Sequence, residues 1–272
     1  MEFKDIKSSV ELKNHLNSPL SNTRIKFFYH YTTIESLYKI FKNKTLHFSK
    51  MSAMNDLLEE KFASGCDDYF FCLSCGYEAE YENFGMWSMY GNLGKNIEND
   101  FEKGVKIQFP KDAIENLRNE SNRNVKFHSV AYKNFIFDAE NAIISLGKGD
   151  NKQISFDIEV LKGYIKDSAW QYEKEARLRI ESEKNYKSSY FDLPVSENVL
   201  KKLVVYPSPD LSLDKAKKIF ENLCKDQGYP SVIPCFKQNR YKESYQSKQK
   251  KGESNLLILL YLTCKNRCSD YK

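Results

Sequence analysis

Three short segments carry side chains whose types and spacing can do chemistry. The first is Trp170-Gln171-Tyr172-Glu173-Lys174-Glu175-Ala176-Arg177-Leu178. If a strand begins near Glu173, alternation puts Glu173, Glu175 and Arg177 on one face. Two carboxylates beside a guanidinium make either a surface salt bridge or a charged site. The second segment is His30-Tyr31-Thr32, at the end of an apolar run. A His at a strand end can direct a ring N–H to a ribose hydroxyl, and the backbone beside it can pair with a flat amide such as nicotinamide. A structural role for that His stays open. The third is Met86-Trp87-Ser88-Met89-Tyr90, with two large rings and a hydroxyl in five residues. Those rings can wall a flat ligand or pack a core.

Positioning these groups requires strands and helices at defined places. Lys26 to Tyr31 reads as a strand, and Thr33 as the cap of a helix whose apolar positions are Ile34, Leu37, Tyr38, Ile40 and Phe41. Asn43 marks its stop. Strands are expected over 45–49, 68–74, 104–109, 125–132, 175–180, 203–206 and 231–236. Helices are expected over 8–16 and 54–64, from Pro110 to about Leu117, and from Leu213 to near Gly228. Phe84 to Tyr90 reads as a short helix or turn. The stretch 134–155, with Gly147, Gly149 and Asp150, reads largely as loop. Ile158, Leu161, Tyr164 and Ile165 make one face of a helix. There is no regular βα alternation and no glycine-rich phosphate-binding motif, which disfavours a doubly wound dinucleotide fold. The expected class is α+β, a compact mixed and mostly antiparallel sheet flanked by helices. With no break in composition, residues 1–272 read as a single domain with a basic C-terminal segment, 237–272.

Composition narrows the function classes. The chain has 272 residues, 41% hydrophobic and 29% charged, far from a disordered composition. The formal net charge of +5 permits proximity to nucleic acid without requiring it. Lys237 to Lys251 is basic and interleaved with Tyr241 and Tyr245, so it can follow a phosphate backbone or lie as a solvated loop. The longest apolar run, Leu256 to Leu262, is too short to cross a bilayer. An odd cysteine count, seven, and a start without a basic and then apolar leader lead us to expect a reducing, cytoplasmic setting and no membrane partner. Cys72 and Cys75 have C-x-x-C spacing, and Cys264 and Cys268 are four apart. Alternation along a strand turns Cys72 and Cys75 to opposite faces, so no metal is expected.

Taken in order, the segments Y-H-Y-T-T-I-E-S-L-Y-K-I-F-K-N-K-T-L-H-F-S, M-S-A-M-N-D, F-C-L-S, M-W-S-M-Y, G-V-K-I-Q-F and W-Q-Y-E-K-E-A-R-L resemble the bacterial family known as domain of unknown function 2971. The resemblance covers roughly residues 27 to 180. That family is placed with the ADP-ribosyltransferase superfamily, so the resemblance implies NAD as a substrate. It further implies that His30 holds the ribose of the adenosine half. The backbone at Tyr31 would grip the nicotinamide carboxamide, helped by Thr32 or Ser49, and Tyr90 or Trp87 would stack on the nicotinamide ring. Glu175 would be the catalytic carboxylate, with Glu173 as the competing choice. Ala176 departs from the pattern, which commonly has an aromatic residue there.

The implied function is an NAD-dependent ADP-ribosyltransferase or NAD glycohydrolase, acting as a toxin or phage-defence effector on a macromolecular acceptor such as nucleic acid. The alternative is a non-catalytic nucleic-acid-binding module with a degenerate pocket. A metal-dependent nuclease would have to use Asp67, Asp68, Glu78 and Glu80.

Overall fold

Capping residues and alternation place most elements close to where the sequence puts them. The computed structural model describes residues 8–17, 19–23, 25–54, 68–77, 83–133, 135–138, 143–146, 154–157, 161–182 and 188–239. Helix α1 (Ser9–Leu16) leads into strand β1 (Ile25–Thr33). Thr33 ends that strand and caps α2 (Ile34–Asn43), its hydroxyl accepting from Ser36 N at 3.2 Å. Lys44, at φ 54°, turns the chain into β2 (Thr45–Lys50). Strand β3 (Tyr69–Tyr77) is followed by α3 (Phe84–Tyr90), so the Met86–Tyr90 segment is helical. Strand β4 (Gly104–Pro110) runs into α4 (Lys111–Glu120), and β5 (Val125–Ser129) and β6 (Ala131–Lys133) are separated only by Val130.

The stretch expected to be loop instead contains β7 (Phe135–Asp138), β8 (Ile143–Leu146) and β9 (Ile154–Asp157), which form an antiparallel sheet of their own. Of the helix face expected at Ile158, Leu161, Tyr164 and Ile165, Ile158 lies outside the described residues and Leu161 is helical. The helix ends there: Lys162–Tyr164 is a turn, and Ile165–Asp167 is strand β10, paired in parallel with β6. Gly163 makes that turn at φ 77°, where a Cβ would lie 2.7 Å from the Phe70 ring. After β11 (Glu175–Ile180) come β12 (Tyr190–Pro194), α5 (Glu197–Leu200), β13 (Val204–Pro207), α6 (Leu213–Gln227) and β14 (Cys235–Phe236). The last strand is shorter than the expected 231–236.

The fold is α+β with a mostly antiparallel main sheet. Among the described residues the sheet runs β12-β2-β3-β1-β4-β13-β14, with β11 also lying along β3, and β5 beyond β11. Only the β13–β14 pair is parallel within it. One face carries the main core. There Leu37, Tyr38 and Phe41 of α2, Ile114 and Leu117 of α4, and Ile219, Phe220 and Leu223 of α6 pack on Phe28, Phe48, Phe71, Ile107 and Leu178. A smaller aromatic cluster, Tyr31, Met86, Trp87 and Leu93, holds α3. It also depends on Gly104, where a Cβ would stand 1.9 Å from Gly91 O just past the end of α3. Among the described residues no helix is long and apolar enough to cross a membrane.

One irregularity of the main sheet positions everything functional. β1 pairs with β3 only as far as Tyr29↔Ser74, yet continues along β4 to Thr33↔Gly104. β2 takes over the same edge of β3 at Ser49↔Phe70. Between those points β1 and β3 part, and the cleft opens there.

Candidate functional site

The parting strands leave the Cys72 carbonyl without a ladder partner from β1, and the His30 side chain replaces it, with Nδ1 3.0 Å from Cys72 O. A carbonyl oxygen can only accept, so Nδ1 carries the proton. Burial pushes His30 down to about 4, against the weaker pull of the Cys72 carbonyl, so the ring is neutral at pH 7. Nε2 is therefore an acceptor. This reverses the expected hydrogen bond: a sugar hydroxyl at Nε2 would donate to the ring. His30 stacks on Phe71 with ring centroids 4.4 Å apart, which fixes its plane.

Beside His30 lies a cavity of about 120 Å³. Tyr29, His30 and Tyr31 of β1, Cys72 and Leu73 of β3, and Met86 and Tyr90 of α3 form part of its wall. Met86 and Tyr90 are four apart and share a helix face. Met54, Lys166, Glu173, Glu175 and Arg177 complete the lining. The volume is close to that of engineered cavities of about 150 Å³ that admit one benzene ring. The hollow is thus about the size of a single flat ring and too small to enclose a whole dinucleotide.

The sequence-predicted residues divide around this cavity. His30, Tyr31, Tyr90, Glu173 and Glu175 line it; Thr32, Ser49 and Trp87 do not. Trp87 is wholly buried, edge-on to Tyr31 at 4.9 Å, and so serves packing. Ser49 sits on β2 opposite Phe70 and Tyr190, and Thr32 pairs with Val105. Cys72 faces the cavity while Cys75 enters the main core, as alternation requires. Cys264, Cys268, Asp67, Glu78, Glu80, Tyr241, Tyr245 and the apolar run 256–262 lie outside the described residues, as do residues 55–64 of the helix expected over 54–64. Asp68 pairs with Arg179 and accepts from Ser182 N, so it is not part of the cleft.

Glu173 is not in a strand, contrary to expectation. It ends a 3-10 turn, Ser168–Glu173, and Lys174 at φ 46° separates it from β11. The two acids still meet at one ammonium. Lys166 Nζ lies 2.7 Å from Glu173 Oε2 and 3.5 Å from Glu175 Oε2. Tyr90 Oη donates to Glu173 Oε1 at 2.7 Å. Arg177 grips Glu175 with two prongs, Nε at 2.9 Å and Nη2 at 3.0 Å, and sends Nη1 to Gly163 O at 3.1 Å. Burial works against the Glu175 charge, but Arg177, Lys166 and a hydrogen bond with the Cys72 thiol outweigh it and hold the carboxyl at about 2. Glu173 moves the other way, raised by burial and then by its Glu175 neighbour. Tyr132 Oη accepts from Glu175 N at 2.7 Å, and burial keeps that phenol protonated.

Lone-pair accounting separates the two acids. A carboxylate offers about four acceptor sites. Glu175 meets two Arg177 nitrogens, Lys166 and the Cys72 thiol. Glu173 meets Tyr90 and Lys166, which leaves it room to accept from a bound hydroxyl. Sequence reasoning missed Lys166 because 158–165 read as a helix. The available signal was Gly163 followed by the apolar-flanked Ile165-Lys166.

Behind the cleft, His128 of β5 lies opposite Arg177 and stacks on Tyr164 at 4.0 Å. It is wholly buried, and its Nε2 has no partner among the described residues. Burial and then the Arg177 guanidinium push it down to about 3, against a usual 6.5. A folded-state value below the unfolded one means that the unfolded chain takes the proton first. Stability from this group is complete above about pH 6.5 and is lost as pH falls toward 3. Each pH unit in that window amounts to about 1.4 kcal/mol. His30 acts in the same direction, and the raised Glu173 in the opposite one. Comparing urea unfolding at pH 7 and pH 5 in wild type and His128→Phe isolates His128. The variant should lose about 2 kcal/mol less than wild type over that interval; equal losses would refute the role given to His128.

The fold and site together define an α+β protein with a neutralised four-charge cluster beside a ring-sized cleft. Within it, residues 86–178 match the family described as protein of unknown function DUF2971. The matching segment runs from α3 through most of β11 and carries Tyr90, Lys166, Glu173, Glu175 and Arg177, but not His30. No curated protein and no solved structure matches the chain.

Proposed function

We propose that the chain is an NAD-dependent ADP-ribosyltransferase or NAD glycohydrolase, of the superfamily that the sequence resemblance implies, modifying a macromolecule as a toxin or phage-defence effector. The observation that carries this reading is the convergence of His30, Tyr31, Tyr90, Glu173 and Glu175, drawn from β1, α3, the 3-10 turn and β11, on one ring-sized hollow. The nicotinamide end of NAD enters that hollow against Tyr90 and Tyr31. The C1′–N bond breaks and its electron pair leaves with nicotinamide, building positive charge on the ribose as in glycoside cleavage. The carboxylates stabilise that charge in a site where burial strengthens every electrostatic contact. Glu173 has open lone pairs for a ribose hydroxyl, and its raised proton affinity suits it to take the proton of the incoming water or acceptor. Glu175 supplies fixed negative charge. His30 Nε2 accepts from a sugar hydroxyl.

The test is release of nicotinamide from NAD by the purified chain, with water alone and then with protein, single-stranded DNA or RNA present. Release above the protein-free control is expected with at least one acceptor. A folded chain inert toward all four overturns the reading. One observation favours the second reading, a binding module without turnover: both acids are already matched by internal cations. That reading predicts nucleic-acid binding that weakens steeply with salt and no loss of NAD.

A further inference from the structure

One cation in the cleft has no part in the bond-breaking step. Lys166 is 3% exposed, and its ammonium touches both acids while lying 4.7 Å from the centre of the Trp170 ring. Burying a lysine this deeply is costly unless its charge is used. We propose that Lys166 is a positioning residue that keeps Glu173 ionised and oriented in the cleft. Its meaning for catalysis rests on the NAD reading above; its hold on the Glu173 charge does not.

The charge balance supports this assignment. The titratable groups around Glu173 are Lys166 of β10 and Tyr90 of α3, which touch it, Glu175 and Arg177 of β11, Cys72 of β3 and His30 of β1, which line the same cleft, and Tyr132 of β6, whose hydroxyl meets Glu175 N. With His30 neutral and the phenols and thiol protonated, two anions face two cations. Arg177 is committed to Glu175 through two nitrogens and to Gly163 O through the third. Lys166 is then the full charge that balances Glu173, and Tyr90 adds a neutral hydrogen bond. Replacing Lys166 by Met keeps the apolar stem but leaves Glu173 buried beside a second carboxylate. Proton uptake by Glu173 is the least costly response. A protonated Glu173 can neither stabilise a developing cation nor accept a proton.

The experiment is a carbon-13 titration of the glutamate carboxyls in wild type, Lys166→Met and Lys166→Arg, with Glu173→Gln assigning the signal. The Glu173 midpoint should rise by more than about 1 pH unit in Lys166→Met, a tenfold gain in proton affinity, and return most of the way in Lys166→Arg. Nicotinamide release by Lys166→Met should fall about tenfold at neutral pH and recover as pH rises, a profile that a packing role would not produce. An unmoved Glu173 midpoint in folded Lys166→Met overturns the proposal, as does lost activity with an unchanged pH profile. Should Lys166→Met fail to fold, the double variant with Glu173→Gln decides: folding is restored if Lys166 serves Glu173, and its continued absence overturns the proposal. If wild type itself releases no nicotinamide, the NAD reading fails while the titration still decides the role of Lys166.

Discussion

Glu173→Gln is expected to lower nicotinamide release from NAD at least about a hundredfold, by analogy with the loss of other preorganised electrostatic contacts. The fold should persist with a loss of about 1–2 kcal/mol, because the buried Lys166 ammonium keeps Glu175, at 3.5 Å, as its remaining carboxylate. The two expectations belong together because of what the amide keeps. The substituted side chain would retain an oxygen for the Lys166 ammonium and remain beside Tyr90, so the wall of the cleft persists. It loses the charge that faces the sugar and the ability to take a proton. Glu175→Gln should also lose activity, but with a different signature. Its amide cannot accept both prongs of Arg177, which leaves a wholly buried guanidinium short of a partner. That variant should therefore lose more stability, up to about 3 kcal/mol. Single-turnover release combined with urea unfolding separates the two. A Glu173→Gln protein that turns over NAD at the wild-type rate would remove Glu173 from the mechanism.

What the sequence discloses here is local, and what it hides is pairing. Thr33 and Gly228 mark helix ends through their own chemistry, one by its hydroxyl and the other by a φ of 92°, so both boundaries were legible. The alternation of charge in Glu175, Arg177 and Arg179 against Ala176, Leu178 and Ile180 marked β11 correctly. The same pattern misled on exposure. Because the turn at Gly163 and strand β10 lie over that face, with Gly163 O on Arg177 and Lys166 on Glu175, both side chains are buried rather than half-solvated. Convergence of His30 with the two acids follows from β1 and β11 both flanking β3, a long-range pairing that no spacing encodes. Neither was the left-handed backbone at Lys174 legible, because a lysine there carries no mark of it. The β7–β8–β9 sheet was hidden by the Gly and Asp residues of its connection, which read as loop.

Arg177→Met is expected to cost about 3–5 kcal/mol of folding stability, the largest loss for any single change in the cleft. The reason is asymmetry. Glu175 would remain buried, with Lys166 as its surviving cation at 3.5 Å, and that ammonium already serves Glu173 at the shorter distance of 2.7 Å. Gly163 O would lose its donor as well, at the turn that feeds β10 and carries Lys166 into place. Arg177→Lys should recover only part of the loss, because an ammonium cannot bond both carboxylate oxygens and Gly163 O in the fork geometry that a guanidinium offers. Pairing Arg177→Met with Glu175→Gln should restore about 1–2 kcal/mol by removing the stranded charge. Urea unfolding of the three variants measures all of this directly. If Arg177→Met unfolds within about 1 kcal/mol of wild type, the Glu175 charge does not depend on Arg177. The four-charge cluster would then not be the rigid floor of the cleft that its buried contacts imply.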